Sequence, residues 1–291
     1  NNLDYTTPQV GRVTKGAAQA LLGKAYLYQD KFSDAATVLG NLIDNGPYQL
    51  VDDYSEIFEN DGENGVESVF EVQYSDGEGA GFDCLQCSEG NVAVGFMGIR
   101  NHTGPTYDSG YSFNVPTQEA YDNFDNDDTR KDVSILDIVA WAEETEATYV
   151  EGYEHTGFYN RKYLPRKGDQ NIGDQNLTNP NNYRAIRYAD VLLMAAEAYF
   201  ESGNLSLATQ YLNSVRARVN MPSISGITIT EIYNERRLEL SCEGHRFFDL
   251  VRTGQAPSMI TNFTTNKNEL FPIPLVEIDL AGGNWTQNQG Y

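Results

Sequence analysis

Arg187-Tyr188-Ala189-Asp190-Val191-Leu192-Leu193-Met194-Ala195-Ala196-Glu197-Ala198-Tyr199 is the stretch on which the fold turns. Val191, Leu192, Ala195, Ala196 and Tyr199 recur at helical spacing. The segment is apolar nearly all round rather than along one stripe, which marks a helix buried inside the protein. Downstream, Thr228 and Glu231 have the spacing of a capping box. They open a long helix that carries Ile232, Glu235, Arg236, Glu239, Leu240 and Phe247 and is expected to end near Gly254. Charges on helices this apolar are tolerated only when paired. Glu235, Arg236 and Glu239 are therefore expected to join Arg187 and Glu197 in a salt-bridge network that locks the helices into one register. The tail, Leu270-Phe271-Pro272-Ile273-Pro274, is extended, because each proline pushes its predecessor out of the helical region.

Ala195, Ala196, Tyr199 and Ala208, with Asn204 at a turn and Pro222 beyond, repeat the offsets of an earlier segment. There, Leu22, Gly23, Tyr26, Ala35 and Pro47 fit the small and large positions of a tetratricopeptide-like hairpin. Over residues 13–46, Ala18, Leu21, Leu22, Ala25 and Tyr28 predict the apolar face of a first helix. Gln29-Asp30-Lys31 breaks it, and Ser33 is the expected cap of a second helix bearing Ala36, Leu39, Leu42 and Ile43. Gly46-Pro47 stops that helix. Repeats of this kind usually need about three units to bury a core, so two copies point to further helices.

The middle of the chain, residues 62–182, is rich in Gly, Asn, Asp and Tyr. Val66, Ser68, Phe70, Val72 and Tyr74 alternate with Glu67, Val69, Glu71 and Gln73, which predicts one strand. Thr117 caps a short helix through Tyr121 and Phe124. The rest has no clear period. So long an irregular stretch is functional or disordered, and its aromatic content argues against disorder. Asp122-Asn123-Phe124-Asp125-Asn126-Asp127-Asp128 lacks the central glycine and terminal glutamate of a calcium loop and reads as a solvated turn.

Composition narrows the function. The chain has 291 residues, 40% of them hydrophobic, and a formal net charge of −22. That charge opposes nucleic acid and polyanionic ligands and leaves neutral ligands free to bind. No apolar run approaches the roughly 18 residues of a membrane-spanning helix. Asn1-Asn2-Leu3-Asp4 shows no basic or apolar leader, as expected of a mature or trimmed product or of a cytoplasmic protein. Cys84 and Cys87 form a lone C-x-x-C without the further ligands of a zinc site, leaving a short disulfide or two free thiols. His245 beside Arg246 and Asp249 has no nucleophile motif with it and suits a helix end. No cofactor, metal or catalytic residue is expected.

Arg187-Tyr188-Ala189-Asp190-Val191-Leu192-Leu193 with Ala196-Glu197-Ala198, then Glu235-Arg236-Arg237-Leu238-Glu239-Leu240, then Glu243-Gly244-His245-Arg246-Phe247-Phe248-Asp249-Leu250-Val251-Arg252, follow one another in a telling order. Pro272-Ile273-Pro274 with Glu277-Ile278 and the closing Gln287-Asn288-Gln289-Gly290-Tyr291 complete it, and Thr14-Lys15-Gly16-Ala17-Ala18, Pro116-Thr117-Gln118-Glu119 and Asp128-Thr129-Arg130 match upstream. In this the chain resembles the SusD-like (RagB/SusD) family over nearly its whole length. It departs from the family at Gln289, where a proline is usual, and in starting where such proteins are about half finished.

The resemblance implies a mostly α fold: a SusD-like α/α superhelix of tetratricopeptide-like hairpins packed with a loop-rich region, lacking the usual N-terminal portion. The expectation is a single domain over 1–291, with a hairpin at 13–61, a ligand-binding region at 62–182 and C-terminal helices and tail at 183–291. The resemblance further implies a surface protein of the outer membrane, lipid-anchored in its full-length form. Such a protein binds polysaccharide or oligosaccharide without cleaving it and passes it to a SusC-like TonB-dependent transporter. Sugar rings offer C–H faces to aromatic planes and hydroxyls to polar side chains. Trp141 with Tyr107 or Tyr111 are the expected stacking platforms, and Arg100, Asn101 and His102 the polar partners. Net acidity favours a neutral glucan, and a strongly acidic exported protein fits a saline habitat and an algal storage β-glucan. The alternatives are a glycoside hydrolase, which needs two opposed carboxylates, and a helical-repeat adaptor without glycan affinity.

Overall fold

The computed structural model describes residues 3–77, 81–84, 87–169 and 172–291. It divides into two compact units, Asn1–Glu243 and Gly244–Tyr291. In the first, α1 (Lys15–Leu27) and α2 (Phe32–Asn45) form a hairpin, followed by strand β1 (Ser68–Val72). The middle of the chain holds short elements: α3 (Val92–Met97), β2 (Ile99–Arg100), β3 (Ser109–Gly110), α4 (Gln118–Asp122), α5 (Arg130–Ser134), β4 (Ile135–Asp137), α6 (Ile138–Thr145) and β5 (Phe158–Asn160). Strand β6 (Tyr183–Arg187) then leads into α7 (Tyr188–Glu201), α8 (Leu205–Arg218) and α9 (Ile229–Glu239). The strands make three two-stranded sheets, β1–β6 and β4–β5 antiparallel and β2–β3 parallel.

Helix α7 is the axis of this unit. Ala189 through Ala198 are all buried, and α1, α2, α8 and α9 pack around it. The second hairpin, α7–α8, turns at Asn204, whose side chain accepts from the Leu207 N–H. Thr14 and Thr117 likewise cap α1 and α4, and Thr228 with Glu231 closes the capping box of α9.

The first hairpin forms as expected, but α1 is turned over. Gly16, Ala17, Ala20, Gly23 and Leu27 are buried, whereas Leu21, Leu22 and Tyr28 are 61%, 43% and 45% exposed, and Ala18 and Ala25 are exposed with them. Close helix packing selects small residues: a Cβ at Gly23 would lie 2.5 Å from the Leu39 side chain. Gly23→Val is therefore expected to lower stability by about 1–3 kcal/mol through overpacking. A urea midpoint equal to that of the parent would show slack between α1 and α2. Ser33 does not cap α2 either: the helix begins at Phe32, with Lys31 as its first boundary residue.

Strand β1 turns its acidic positions inward. Glu67, Val69 and Glu71 face the interior, while Val66 and Val72 are 54% and 39% exposed. The acids point inward because their partners are there. Glu67 accepts from Arg187 (2.7 Å) and Arg218 (2.9 Å), and Glu71 from Asn182 Nδ2 (3.0 Å).

The ion-pair network is present and larger than the helix charges alone foretell. Arg130 meets Asp128 (2.7 Å), Glu235 (2.6 Å) and Glu239 (3.1 Å). Arg187 meets Glu67 (2.7 Å), Glu239 (2.9 Å) and Glu243 (2.7 Å). Arg218 reaches Glu67 and Glu239, Lys162 reaches Glu243 (2.7 Å), and Arg236 reaches Asp190 (2.7 Å). Glu197 is buried as well. Burial alone would raise the Glu239 carboxyl, but Arg218, Arg187 and Arg130 together hold it far below the usual carboxylate range. Burial pulls the Lys162 ammonium down against the opposing pull of Glu243.

The same network ends α9 early. The Glu239 carbonyl accepts from Tyr54 Oη (2.7 Å), Lys162 Nζ (3.1 Å) and Arg187 Nη2 (3.1 Å). Cys242 then takes a left-handed conformation (φ 65°), so the expected helix to Gly254 breaks after Glu239.

The second unit carries α10 (Arg246–Arg252), α11 (Ala256–Met259) and α12 (Leu275–Leu280). His245 is the residue before α10, its carbonyl accepting from the Asp249 N–H (3.0 Å). The proline-flanked tail is extended, as read. Gln287 brackets Ile273 with two hydrogen bonds of 2.8 Å, one to its N–H and one to its carbonyl.

Candidate functional site

The loop-rich part of the first unit is organised by the β2–β3 pairing. Ile99 lies opposite Ser109 and Arg100 opposite Gly110, so residues 101–108 loop out between them. Asn101 (φ 49°) and Thr106 (φ 67°) take the left-handed turns that this requires. Thr103 and Thr148 exchange two backbone hydrogen bonds of 2.8 Å, which tie this loop to the segment after α6. Helix α6 is fixed by Asp137, which accepts from the Val139 and Ala140 N–H groups at 3.0 Å.

The six residues singled out from the sequence fall into two adjoining groups. In the first, Tyr107 packs 5.4 Å from the Trp141 ring and 6.4 Å from the His102 ring. Tyr107 is 1% exposed and its hydroxyl accepts from Arg161 Nε (2.9 Å). Its ring therefore supports Trp141 from behind and offers no open face. His102 is buried too, with Nδ1 3.0 Å from the Tyr107 carbonyl. Because a carbonyl only accepts, the imidazole proton sits on Nδ1, and Nε2 presents its lone pair. Burial holds this histidine below its ordinary pKa, so the ring is neutral. Trp141 is half-buried.

In the second group, Arg100 Nη2 donates to the Tyr111 carbonyl (2.9 Å), and the Arg100 carbonyl accepts from the Val150 N–H (3.0 Å). Tyr111 is half-buried, and Asn101, between the groups, is exposed.

The polar atoms around these rings are incompletely satisfied. Arg100 Nε, His102 Nε2, Trp141 Nε1 and His155 Nδ1 are buried and have no hydrogen-bond partner among the described residues. Buried polar atoms are normally paired, so four orphans in one neighbourhood ask for an explanation.

The sequence reading did not pick Phe96, Phe113 or His155, and Tyr149 and Tyr153 could not be interpreted singly. Phe96, Tyr111 and Phe113 lie within 5.2–6.3 Å of one another. His155 stands between Tyr149 (5.7 Å) and Tyr159 (6.4 Å). Tyr111 and Phe113 are brought together by Ser112, which turns through the left-handed region between them (φ 61°), and strand alternation gave no signal for this.

Elsewhere, Cys84 and Cys87 form a disulfide. Within the acidic run, Asp125, Asn126 and Asp127 are exposed while Asp128 is buried on Arg130. Among the described residues no cluster of three or more His, Cys, Asp or Glu could hold a metal ion. No described helix is long and apolar enough to cross a membrane.

Residues 137–260 match the model of the SusD family. A solved laminarin-binding SusD-like protein is 38% identical, with a TM-score of 0.92 over 100% of this chain and 66% of that one. Surface glycan-binding protein A from Bacteroides thetaiotaomicron, solved in complex with laminarihexaose, is 29% identical, with a TM-score of 0.90 over 98% of this chain and 66% of that one. SusD-like protein P2 of Formosa agariphila is 28% identical over 96% of this chain. The chain spans 60% of that relative's length. The buried α7 axis, the paired hairpins and these likenesses agree: the chain belongs to the SusD-like family.

Proposed function

We propose that this protein captures a neutral glucan of the laminarin type at the bacterial surface without cleaving it. Its ligand passes to a TonB-dependent transporter of the SusC type in the outer membrane. The observation that carries this reading is the aromatic region around the β2–β3 loop, where the half-buried Trp141 indole is braced by Tyr107 and the half-buried Tyr111 and exposed Asn101 belong to the same region. The two solved relatives whose titles name laminarin or laminarihexaose support the choice of glycan. So does the net charge of −22, which repels uronates and sulfated polymers.

The test is a binding screen with laminarin, other neutral glucans and anionic polysaccharides at two salt concentrations. Retention on laminarin, with no release of reducing ends, is the expected result. Absence of a shift with every neutral polymer would overturn the reading. Co-purification with an outer-membrane transporter without any glycan affinity would favour an adaptor instead.

A further inference from the structure

The segment that carries Trp141 is charged in one sense only. Residues 137–157 hold Asp137, Glu143, Glu144, Glu146, Glu151 and Glu154 and no lysine or arginine. The glutamates are all exposed. None of them makes an ion pair among the described residues. The cations on adjoining segments are engaged by neutral oxygens: Arg100 by the Tyr111 carbonyl, Arg161 by the Tyr107 hydroxyl and the Asp132 carbonyl, and Lys167 by the Gly104 carbonyl. Six carboxylates against these three cations leave the neighbourhood of Trp141 negative.

Part of this charge works against the fold. Helix α6 ends at Thr145, so Glu143, Glu144 and Glu146 crowd its C-terminal end, where the helix dipole favours cations and disfavours anions. No basic residue stands in that last turn. Glu146 also takes a left-handed conformation (φ 56°), which glycine or asparagine adopts more readily. All three are exposed, so packing does not offset the cost. Where a local rule is broken with no gain to the fold, function is the expected reason. Glu144 follows Trp141 by three residues and shares its side of α6. Glu151 comes from the next loop, whose base is held by the Val150 N–H on the Arg100 carbonyl. Burial first, and Glu151 and Asp137 after it, raise the Tyr149 hydroxyl above its ordinary pKa, so these two carboxylates face one ring from two segments.

We infer that Glu143, Glu144, Glu146, Glu151 and Glu154 form a charge-selecting rim that leaves a neutral glycan free to reach Trp141 and turns away one bearing carboxylates or sulfates. This rests on the glycan reading above. The rim grips nothing; it acts through the field that an approaching anion meets. Salt separates it from the net charge of the whole chain. At 0.1 M, charges beyond about 10 Å are screened and a local rim still acts; at 1 M the reach falls to about 3 Å and the rim is silenced too.

The test compares laminarin with carboxymethyl-laminarin, the same backbone made anionic, by calorimetry at about 0.1 M and about 1 M salt. The triple variant Glu144→Gln/Glu146→Gln/Glu151→Gln is expected to bind carboxymethyl-laminarin about 5-fold more tightly than the parent at the lower salt, with no gain at the higher. Its affinity for laminarin is expected to stay within about 2-fold of the parent's, since an uncharged chain meets little of the field. A control, Asp34→Asn/Asp44→Asn/Glu201→Gln, removes as many exposed charges from α2 and α7 and should leave the ratio of the two affinities parental. An unchanged ratio in the rim variant would overturn the rim. An equal shift in the control would do so as well, by assigning the discrimination to net charge. Loss of laminarin binding in the rim variant would make those carboxylates ligand contacts instead, and the inference would fail. A melting temperature at or above the parent's is expected, because anions leave the C-terminal end of α6; a fall would give them a structural role and count against the rim. If the parent binds neither polymer at either salt, the glycan reading itself falls, and the rim falls with it.

Discussion

Arg187→Met is expected to destabilise the first unit by about 3–5 kcal/mol, the cost of leaving buried charges without their partner. Arg187 is 2% exposed and contacts Glu67, Glu239 and Glu243. Methionine fills much the same volume, so packing changes little and the loss is electrostatic. Glu239→Gln should fall in the same range, since Arg130, Arg187 and Arg218 converge on that carboxylate. The double variant should cost less than the sum, because each change relieves part of the other's imbalance. The pH dependence has a definite sign. Glu239 is held below its unfolded value, so its contribution is complete above about pH 4.5 and is lost as pH falls through the depressed folded value. Urea melts at pH 7 and pH 4 provide the check. A parental midpoint for Arg187→Met at pH 7 would mean that the network is energetically idle.

Trp141→Ala should weaken laminarin binding by roughly 30-fold, about 2 kcal/mol, the usual scale for an aromatic hot spot. The indole is braced by Tyr107 at 5.4 Å, which is itself held by Arg161. A braced ring loses little side-chain entropy when a sugar lies on it. Trp141→Phe keeps a ring with a smaller stacking face, so an intermediate affinity is expected. Because Trp141 packs against the core around Tyr107, melting temperatures must accompany the titrations. Unchanged affinity in a folded Trp141→Ala protein would remove the indole from the site.

The helical frame was legible because its signals are local. The all-round apolar character of α7, the Thr228–Glu231 capping box and the Gly46-Pro47 stop each depend on residues within a few positions of one another. The buried faces of α1 and β1 were not legible, because their causes are distant. Glu67 and Glu71 turn inward to reach Arg187 and Asn182, on and beside the paired strand β6. Leu21 and Leu22 turn outward because Gly23 must meet Leu39. The early end of α9 depends on Tyr54, Lys162 and Arg187 capturing one carbonyl. Within the candidate site, residue type picked Arg100, Asn101, His102, Tyr107, Tyr111 and Trp141, which the fold groups around the β2–β3 loop. Their division into exposed and buried rings was beyond reach, since that depends on Trp141 and Tyr107 meeting from separate segments.

The excess of acid over base has an environmental consequence. Arg130, Arg184, Arg187, Arg236 and Lys162 are buried with carboxylates such as Glu67, Asp190, Glu235 and Glu239 that offset them, so the interior network absorbs little of the net charge of −22 and the excess faces the medium. The exterior is left with a one-sided anionic field and few cations to interrupt it. In fresh water that field extends tens of ångströms and fends off sulfated or uronate-bearing polymers; in brine it shrinks to a few. Discrimination against charged polymers would therefore be sharpest in dilute media and blunted in the sea.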